Sequence, residues 1–487
     1  MNALVRRSKL ALAADPRRVV ATLFLPGQEM TANGVSRADS VILRILAMSQ
    51  EQVARALTET AGRFGTRHQG LPTILEDHYE LVAHRMPPAV TASAQQRQLI
   101  GAYFTKEYSV EAAALFNPSM VAHPDQSGLA AGELRFVMSV RAVGEGHISS
   151  IEFRTGVIGA GDTITVDDPG QHLVNGRQVR TTMSREFLRD AVADRPDAAL
   201  ARHVLELLPE HFDAGQLDHA VTAIARDHLT RGSADAILDH VRWIASCNYR
   251  LHFPAERPLS ERVIYPISVD ERQGVEDARF TRFTEEDGRA TYFGTYTAFD
   301  GSRISPHLLQ TDDFTTFESS QLIGPAAKDK GMALFPRRIG GQYVALSRWD
   351  RESIGVATSP DALRWGTATT VQAPARPWEL IQLGNCGSPI ETPHGWLVLT
   401  HGVGAMREYG IGAILLGLDE PTKLIGSLPG PLLMPSEEER DGYVPNVVYS
   451  CGSLVHAGTL VLPYGCSDSS IRFAFVDLAA LLDRLAS

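Results

Sequence analysis

Apolar positions near the start of the chain recur with the spacing of an α-helix. They do so in the segments that begin at Val41 and Val53, where Gln, Glu, Arg and Ala separate the apolar residues. This periodicity is typical of a helix with one buried face. We therefore predict that residues 1–107 form a helical N-terminal segment.

The pattern changes at about Leu115 to short β-rich runs bounded by Gly, Asp and Pro. Two such runs are Leu134-Arg-Phe-Val-Met-Ser-Val and Ile151-Glu-Phe-Arg-Thr-Gly-Val-Ile. They predict strands over residues 108–183 and again over 256–487, with a short helix at the C-terminal end. Amphipathic turns between these regions, as in Ala201-Arg-His-Val-Leu-Glu-Leu-Leu, predict a helical insertion over residues 184–255.

A weak internal repeat lies within the second β region. Thr311-Asp-Asp-Phe-Thr-Thr-Phe aligns with Ser359-Pro-Asp-Ala-Leu-Arg-Trp, which places Asp313 and Asp361 48 residues apart. Periods of about 40 to 50 residues fit the four-stranded blades of a β-propeller. The fold class predicted is therefore mainly β, with a β-sandwich as the alternative.

Composition and charge narrow the class of protein. The chain has 487 residues, 44% of them apolar, and a formal net charge of −11, which argues against a disordered chain and a basic nucleic-acid binder. No apolar run approaches the roughly 18 residues of a membrane span, so we expect a cytoplasmic protein without a membrane partner. The four cysteines are far apart in sequence, which predicts buried thiols and no zinc site.

Two adjacent carboxylates mark the most informative local motif, Gly274-Val-Glu-Asp-Ala-Arg-Phe. In an extended chain Glu276 and Asp277 point to opposite faces, and Arg279 shares a face with Asp277. One carboxylate would then enter a cavity while the other pairs with neighbours. A surface Glu-Asp-Arg turn is the alternative at this stage.

Two further segments place cationic groups beside small residues, which suits the binding of an anion such as phosphate. They are Lys330-Gly-Met-Ala-Leu-Phe-Pro-Arg-Arg and His401-Gly-Val-Gly-Ala-Met-Arg-Glu-Tyr-Gly. The sequence contains no nucleotide-binding loop, no metal-binding histidine spacing and no serine-hydrolase elbow. Aromatic side chains that are either sugar-stacking platforms or core residues are Trp365, Trp378 and Trp396.

Taken together, these motifs resemble glycoside hydrolase family 130, which contains inverting β-mannoside phosphorylases and some β-mannosidases. The segment at Gly274 is similar to the family's Gly-x-Glu-Asp-Pro-Arg stretch, with Ala278 in place of the usual proline. The similarity runs from about Phe116 to Leu485, apart from the helical insertion. Seven more motifs follow the family order: Phe116-Asn-Pro-Ser, Arg141-Ala-Val-Gly-Glu-Gly, Tyr296-Thr-Ala-Phe-Asp-Gly, Leu334-Phe-Pro-Arg-Arg-Ile-Gly-Gly, Gly395-Trp-Leu, His401-Gly-Val and Tyr464-Gly-Cys-Ser-Asp-Ser-Ser-Ile.

The resemblance implies a five-bladed β-propeller and a set of functional residues. Asp277 would be the general acid, which protonates the glycosidic oxygen through a hydroxyl group of the bound mannose, and we expect burial to keep its carboxyl protonated. The residues expected to bind the sugar are Asn117, Arg141, Glu276, Arg279 and Asp468. Those that the resemblance places near the phosphate are Arg303, Lys330, His401 and Tyr409.

The reaction expected from the resemblance is phosphorolysis of a β-linked mannoside to α-mannose 1-phosphate, with inorganic phosphate as co-substrate and neither a metal nor an organic cofactor. An inverting β-mannosidase is the first alternative, and it would need a carboxylate base such as Glu352, Glu391 or Glu408. A non-catalytic carbohydrate-binding propeller is the second. The helical additions, which the compact family members lack, predict a homo-oligomer interface or a cap over the site.

Overall fold

The computed structural model describes residues 4–27, 34–88, 90–193, 198–227 and 232–486. Parts of the predicted helical segments, at 28–33, 89, 194–197 and 228–231, lie outside these residues. The helices are α1 Arg37–Leu46, α2 Gln50–Phe64, α3 Leu71–Val82, α4 Ala94–Tyr103, α5 Arg185–Ala191, α6 Ala198–Glu206, α7 Ala214–Asp227, α8 Gly232–Ser246 and α9 Leu478–Ala486.

Most regular structure is β, as the sequence predicts. The strands are β1 Val5–Ala13, β2 Val19–Leu23, β3 Thr105–Ser109, β4 Ala114–Ala122, β5 Leu134–Val143, β6 Ser149–Gly159, β7 Thr163–Val166, β8 Val174–Asn175, β9 Arg177–Val179, β10 Met183–Ser184, β11 His211–Phe212, β12 Tyr249–His252, β13 Arg262–Ile264, β14 Gly274–Thr284, β15 Ala290–Phe299, β16 Ile304–Thr311, β17 Thr316–Gln321, β18 Ala333–Leu334, β19 Tyr343–Ser347, β20 Ile354–Ser359, β21 Thr369–Gln372, β22 Gln382–Asn385, β23 Ile390–Thr392, β24 Gly395–Val403, β25 Tyr409–Leu416, β26 Leu424–Ser427, β27 Val448–Tyr449, β28 Leu454–His456, β29 Thr459–Cys466 and β30 Ser470–Asp477.

The chain divides into two compact units. The smaller comprises residues 15–112 and 170–174, and the larger comprises residues 1–14, 113–169 and 175–487. The smaller unit holds α1 to α4 and the β2–β3 pair. Capping boxes formed by Ser49 with Gln52, and by Ser93 with Gln96, begin α2 and α4 by satisfying amide groups that have no partner within the helix.

The prediction of a purely helical N-terminal segment is wrong at its start, because β1 and β2 precede the helices. In β1 the side chains of Leu10 and Leu12 are partly buried, while those of Lys9 and Ala11 are exposed. This alternation with period two is the mark of a strand with one buried face. The helices predicted around Val41 and Val53 are present as α1 and α2.

Five antiparallel strand sets follow one another along the larger unit. Their orders are β4-β5-β6, β14-β15-β16-β17, β18-β19-β20-β21, β22-β24-β25-β26 and β27-β29-β30-β1. A single parallel pair, Gly274 with Ser149, joins the first set to the second. We refer to them as the first to fifth sheets. The fifth is completed by β1, whose Val5 pairs with Val476.

Consecutive sheets share hydrophobic contacts in cyclic order. Phe153 of the first sheet packs edge-on against Phe280 of the second. Apolar clusters then join the second sheet to the third, the third to the fourth, and the fourth to the fifth. A last cluster joins the fifth sheet back to the first, and Leu10 and Leu12 of β1 pack against it.

The repeat seen in the sequence is a repeated turn. Oδ1 of Asp313 accepts hydrogen bonds from the backbone N–H groups of Thr315 and Thr316, and Oδ1 of Asp361 accepts them from Leu363 and Arg364. The next residue has a left-handed backbone in both turns. The third strands of the second and third sheets, β16 and β20, are therefore followed by the same kind of turn.

The helical insertion folds as α5 to α8 around a core of its own, which includes Leu188, Val204 and Val241. Its predicted end at residue 255 is too late, because Tyr249–His252 is a strand that pairs with β17. The four cysteines are buried, as predicted. No helix among the described residues has both the length and the apolar composition needed to cross a membrane.

Candidate functional site

Two equivalent strand bulges bring Asn117 and Asp277 together. The ladder between β4 and β5 shifts register between Phe116 and Ser119, and the ladder between β14 and β15 shifts between Glu276 and Arg279. Asn117 and Asp277 have left-handed backbones, with φ of 49° and 56°. Such a conformation costs on the order of 1–3 kcal/mol and re-aims the side chain out of the ladder. The side-chain amide of Asn117 donates a 2.7 Å hydrogen bond to Oδ1 of Asp277.

Arg141 joins both carboxylates of the central motif. Its guanidinium donates to Oε1 of Glu276 at 2.7 Å and to Oδ1 of Asp277 at 3.2 Å, and its Nε donates to Ser149. The ammonium group of Lys330 lies 2.5 Å from the other oxygen of Glu276. Glu276 is therefore paired with two cations, Arg141 and Lys330. Asp277 keeps its second oxygen free of these contacts.

Arg279 is 2% exposed and holds the backbone of the bulge at Asp277. It donates to the backbone oxygens of Asp277 and Cys386, and to the hydroxyl of Tyr449. Because Cys386 and Tyr449 belong to the fourth and fifth sheets, Arg279 ties three sheets together beneath the carboxylate.

The charge state of Asp277 differs from the sequence-based expectation. Burial opposes its ionisation, but the positive charges of Arg141, Lys330 and Arg279 outweigh burial and lower its pKa to about 2. The carboxyl of Asp277 is therefore ionised at neutral pH before substrate binds. The expectation that burial alone would keep it protonated is wrong, because it took no account of cations from other strands.

Asp468 shows the opposite shift. Burial, together with the negative charge of Asp277, raises the pKa of Asp468 to about 6, against the opposing effect of Arg141 and Arg407. Its backbone is also left-handed, with φ of 49°, in the tight turn between β29 and β30. The structure thus places Asp468 within electrostatic reach of Asp277 and Arg141.

His401 is the centre of a second polar group. Its Nε2 lies 3.1 Å from Arg348 and 3.2 Å from the side-chain amide of Gln382. Burial and the nearby charges of Arg348 and Arg279 lower the pKa of His401 well below its usual value. The ring is therefore neutral, with Nε2 as the acceptor. It lies against Gly384, where a Cβ would be 2.5 Å from the ring.

Arg348 is the residue that the sequence analysis missed. It follows β19 directly, its side chain is only 10% exposed, and besides His401 it contacts Asp329 at 3.4 Å. No motif surrounds it in the sequence. The one available signal was its place at the end of a strand whose hairpin partner, β18, begins just after Lys330.

Of the two remaining residues predicted to bind phosphate, Tyr409 contacts His401 and Arg303 does not. Tyr409 stacks on the His401 ring, with centroids 6.2 Å apart and planes inclined by 11°. Arg303 is exposed on the turn between β15 and β16, where its backbone N–H donates to Asp300. Within the described part of the chain, no hydrogen bond joins Arg303 to the Asp277 group or the His401 group.

The carboxylates proposed as water-activating bases are engaged elsewhere or exposed. Glu391 forms a two-point ion pair with Arg337. Glu408 lies 3.9 Å from Arg440, and Glu352 is exposed on the loop after β19. Trp365 and Trp396 are buried core residues, whose indole N–H groups donate to backbone oxygens, and Trp378 packs on glycines of β24 and β25.

One cluster elsewhere has the donor atoms of a metal site. Atoms of Cys247, Asp270 and His307 lie within 4.8 Å of one another. They satisfy each other directly, since Nε2 of His307 lies 2.7 Å from Oδ2 of Asp270. Burial raises the pKa of the Cys247 thiol far above its usual value, which disfavours the thiolate that binds metals. We therefore assign this cluster to the core.

Comparison with known proteins gives consistent results. A family model described as beta-1,4-mannooligosaccharide phosphorylase, of glycoside hydrolase family 130, matches residues 251–487. A 1,2-beta-oligomannan phosphorylase from Thermoanaerobacter is 33% identical over 227 residues, which are 45% of this chain and 74% of the relative.

Two more relatives, and one solved structure, are similar. A beta-1,2-mannobiose phosphorylase from Listeria innocua is 32% identical, and the match spans 46% of this chain and 63% of that relative's length. A beta-1,4-mannooligosaccharide phosphorylase from Ruminococcus albus is 34% identical over 36% of this chain and 56% of its own. The structure of the Listeria innocua enzyme with beta-1,2-mannobiose aligns with a TM-score of 0.45 and 22% identity, covering 78% of this chain and 93% of that one.

Proposed function

Because the chain belongs to glycoside hydrolase family 130, we propose that it is an inverting β-mannoside phosphorylase. The reaction transfers the mannosyl group of a β-linked mannoside to inorganic phosphate and yields α-mannose 1-phosphate. It uses phosphate as co-substrate and needs neither a metal nor an organic cofactor. We also infer that the five sheets, which pack in cyclic order, are the blades of a five-bladed β-propeller with Asp277 facing its centre.

The observation that carries this proposal is the pair of cationic side chains Lys330 and Arg348. Lys330 reaches Glu276 beside the acid, and Arg348 lies against the neutral His401. Cations fixed by neighbouring side chains suit the oxygens of a phosphate anion, with Arg348 supplying several fixed donors. A hydrolase would instead need a carboxylate that activates water, and Glu352, Glu391 and Glu408 are engaged or exposed as described.

The sugar-binding side of the site is formed by Asn117, Arg141 and Asp468. Donors and acceptors fixed by the two bulges and the β29–β30 turn would hold the mannose hydroxyls and so position the anomeric carbon. A phosphate oxygen then attacks that carbon from the face opposite the leaving group. The bond to the glycosidic oxygen breaks, and inversion converts the β-mannoside to the α-phosphate.

The leaving oxygen takes its proton from Asp277 by way of a mannose hydroxyl. In the free protein the pKa of Asp277 is about 2, because Arg141, Lys330 and Arg279 together outweigh its burial. A phosphate dianion beside Lys330 offsets part of that positive charge, and bound sugar excludes water from the carboxylate. Both effects favour the protonated carboxyl, so substrate binding itself prepares the acid.

The experiment that tests the proposal also determines which linkage the protein cleaves, because the relatives are named for both β-1,2- and β-1,4-linked substrates. Purified protein is incubated with β-1,2-, β-1,3- and β-1,4-mannobiose, with and without phosphate, and products are followed by ³¹P and ¹H NMR. We expect turnover that requires phosphate and gives the α-anomer of mannose 1-phosphate. The Asp277→Asn variant is the control for contaminating enzymes.

Two results would overturn the proposal. Free mannose released at the same rate without phosphate would make the protein a hydrolase. No turnover of any linkage would favour a carbohydrate-binding module. A cytoplasmic location and a homo-oligomer formed through the helical segments are further predictions from the sequence.

A further inference from the structure

An exposed pair of aromatic rings lies next to the predicted sugar-binding residues. The hydroxyl of Tyr443 lies 3.0 Å from Nδ1 of His147, and the two ring centroids are 5.7 Å apart. Tyr443 is 53% exposed although its position is fixed at several points. We call Tyr443 and His147 the aromatic pair.

The backbone around Tyr443 is anchored to the turn that carries Asp468. The backbone N–H of Tyr443 donates to Ser469 at 2.7 Å, and that of Val444 donates to the carbonyl of Ser467 at 3.0 Å. Gly442 lies so close to this turn that an added Cβ would be 2.6 Å from Ser467. The backbone at Tyr443 is thus anchored to the two residues that flank Asp468.

His147 is anchored to the other side of the same sugar-binding group. It lies in the turn Glu145–His147 between β5 and β6, between Arg141 and Ser149, which are hydrogen-bonded to each other. The turn has an equivalent at Ala405–Arg407 between β24 and β25, where Met406 and Arg407 take the left-handed conformations of Gly146 and His147. These two turns project side chains from the ends of β5 and β24, the strands that carry Arg141 and His401.

His147 lies in the β5–β6 turn of the first sheet, and Tyr443 lies in the loop before β27, which is hydrogen-bonded to the β29–β30 turn of the fifth sheet. The proposed phosphate residues Lys330 and Arg348 lie next to β18 and β19 of the third sheet. In a ring of five blades, the third blade lies across the centre from the junction of the first and fifth. An inverting displacement places the incoming phosphate and the departing sugar on opposite faces of the mannose ring. The departing sugar would therefore lie on the side of the aromatic pair.

We propose that Tyr443, held by His147, is the stacking platform for the sugar on the leaving-group side and sets the specificity for the acceptor in the reverse reaction. The occupant is the apolar face of a pyranose ring. A tyrosine ring offers a rigid apolar surface with a polar edge, which suits such a face. This inference rests on the proposed phosphorylase function and deepens it.

The test uses the reverse reaction, in which mannose 1-phosphate and an acceptor mannoside give a longer mannoside and free phosphate. For Tyr443→Ala we expect the KM for the acceptor to rise about tenfold, while the KM for mannose 1-phosphate stays within about twofold. Tyr443→Phe keeps the ring and its contact with the His147 ring and loses only the hydrogen bond of the hydroxyl, so it should retain most of the acceptor affinity. Tyr103→Ala is the matched control, since Tyr103 is also 53% exposed.

A binding measurement separates this inference from the proposed function. Saturation-transfer NMR with β-1,2- and β-1,4-mannobiose is recorded for the Asp277→Asn protein with and without Tyr443→Ala. We expect the alanine substitution to weaken the signals of the reducing-end ring more than those of the other ring. Unchanged acceptor KM and unchanged signals would overturn the role of Tyr443, whereas absence of any reaction by the unmodified protein, with ring-selective binding intact, would overturn only the phosphorylase function.

Discussion

Asn117 and Asp277 are 160 residues apart in sequence, yet they stand at the same step of two equivalent bulges and share a 2.7 Å hydrogen bond. The fold thus produces the same distortion twice, once to aim a carboxylate and once to aim the amide that stabilises its ionised form. Because both residues have positive φ, each bulge is kept at a cost in backbone strain, which favours a role in function over one in stability.

Asn117→Gly separates the hydrogen bond from the strain. Glycine accepts the left-handed backbone freely but cannot replace the buried hydrogen bond, so we expect its thermal stability to lie below that of the unmodified protein and above that of Asn117→Ala. The lost hydrogen bond to a charged group should lower kcat/KM for the mannoside by about tenfold or more. Asn117→Ala, which keeps the strain, should show the same loss of activity with lower stability. Equal activity of Asn117→Gly and the unmodified protein would contradict a role in orienting Asp277.

Ala278→Pro should be tolerated at the second bulge. At the first bulge Asn117 is followed by Pro118, so the same geometry already accommodates a proline after a left-handed residue. Neither Asp277 nor Ala278 is paired in the ladder with β15, so no ladder hydrogen bond is lost. We expect a gain of about 0.4–1 kcal/mol in the free energy of unfolding, measured by chemical denaturation. A loss of stability would show that the two bulges differ at this residue.

Arg348→Ala should raise the KM for phosphate by roughly tenfold to a hundredfold, with a smaller effect on the KM for the mannoside. Initial rates at varied phosphate and at varied mannoside measure the two constants.

Arg303→Ala tests whether Arg303 binds phosphate, a role that the family resemblance implies and that its position in the structure does not support. The resemblance predicts a large rise in the KM for phosphate, whereas the exposed position of Arg303 on its turn predicts a change of about twofold or less. Initial rates at varied phosphate, with saturating mannoside, decide between them.

The raised pKa of Asp468 predicts the direction in which the free energy of unfolding changes with pH. Its folded pKa of about 6 lies above the ordinary value of 3.8, so between these two values the folded state binds more protons than the unfolded state. Asp468 therefore lowers the free energy of unfolding as pH rises from about 4 to 6. Asp468→Asn should reduce the decline in Tm across this range relative to the unmodified protein. An identical pH dependence for the two proteins would contradict the raised pKa.

Strand β1 should contribute measurably to stability. Leu12→Ala removes a partly buried side chain that packs against the cluster between the first and fifth sheets, and we expect a loss of about 1–2 kcal/mol. Lys9→Ser changes an exposed position on the other face of the same strand and should have an effect within about 0.5 kcal/mol. If neither substitution lowers the free energy of unfolding, the strand is held by its backbone hydrogen bonds alone.

The parts of this molecule that could be predicted from sequence are the local ones. Asp277 and Glu276 lie in one short motif, and the helices around Val41 and Val53 follow from periodicity. The strand at Val5–Ala13 was missed although Leu10 and Leu12 alternate with Lys9 and Ala11, because its two alanines weaken the contrast and its partner strand is more than 450 residues away in sequence.

The electrostatics of the site needed the three-dimensional structure. The pKa of Asp277 depends on Arg141 from β5 and on Lys330 before β18, and neither is near it in sequence. Arg348 has no motif around it and gains its position only through the β18–β19 hairpin. Long-range charge and strand pairing are properties that a single sequence does not display.

The pairing of Val5 with Val476 also governs when this protein is able to finish folding. A ribosome adds about 5–20 residues per second, so β1 emerges roughly 20–90 s before the strand that pairs with it. Throughout that time the backbone hydrogen-bonding groups of β1 lack their partner β30, and Leu10 and Leu12 lack the fifth-sheet residues of their apolar cluster. An unpaired strand of this kind is a template for intermolecular association. We therefore expect the yield of folded protein to depend on translation rate and on chaperones that shield β1.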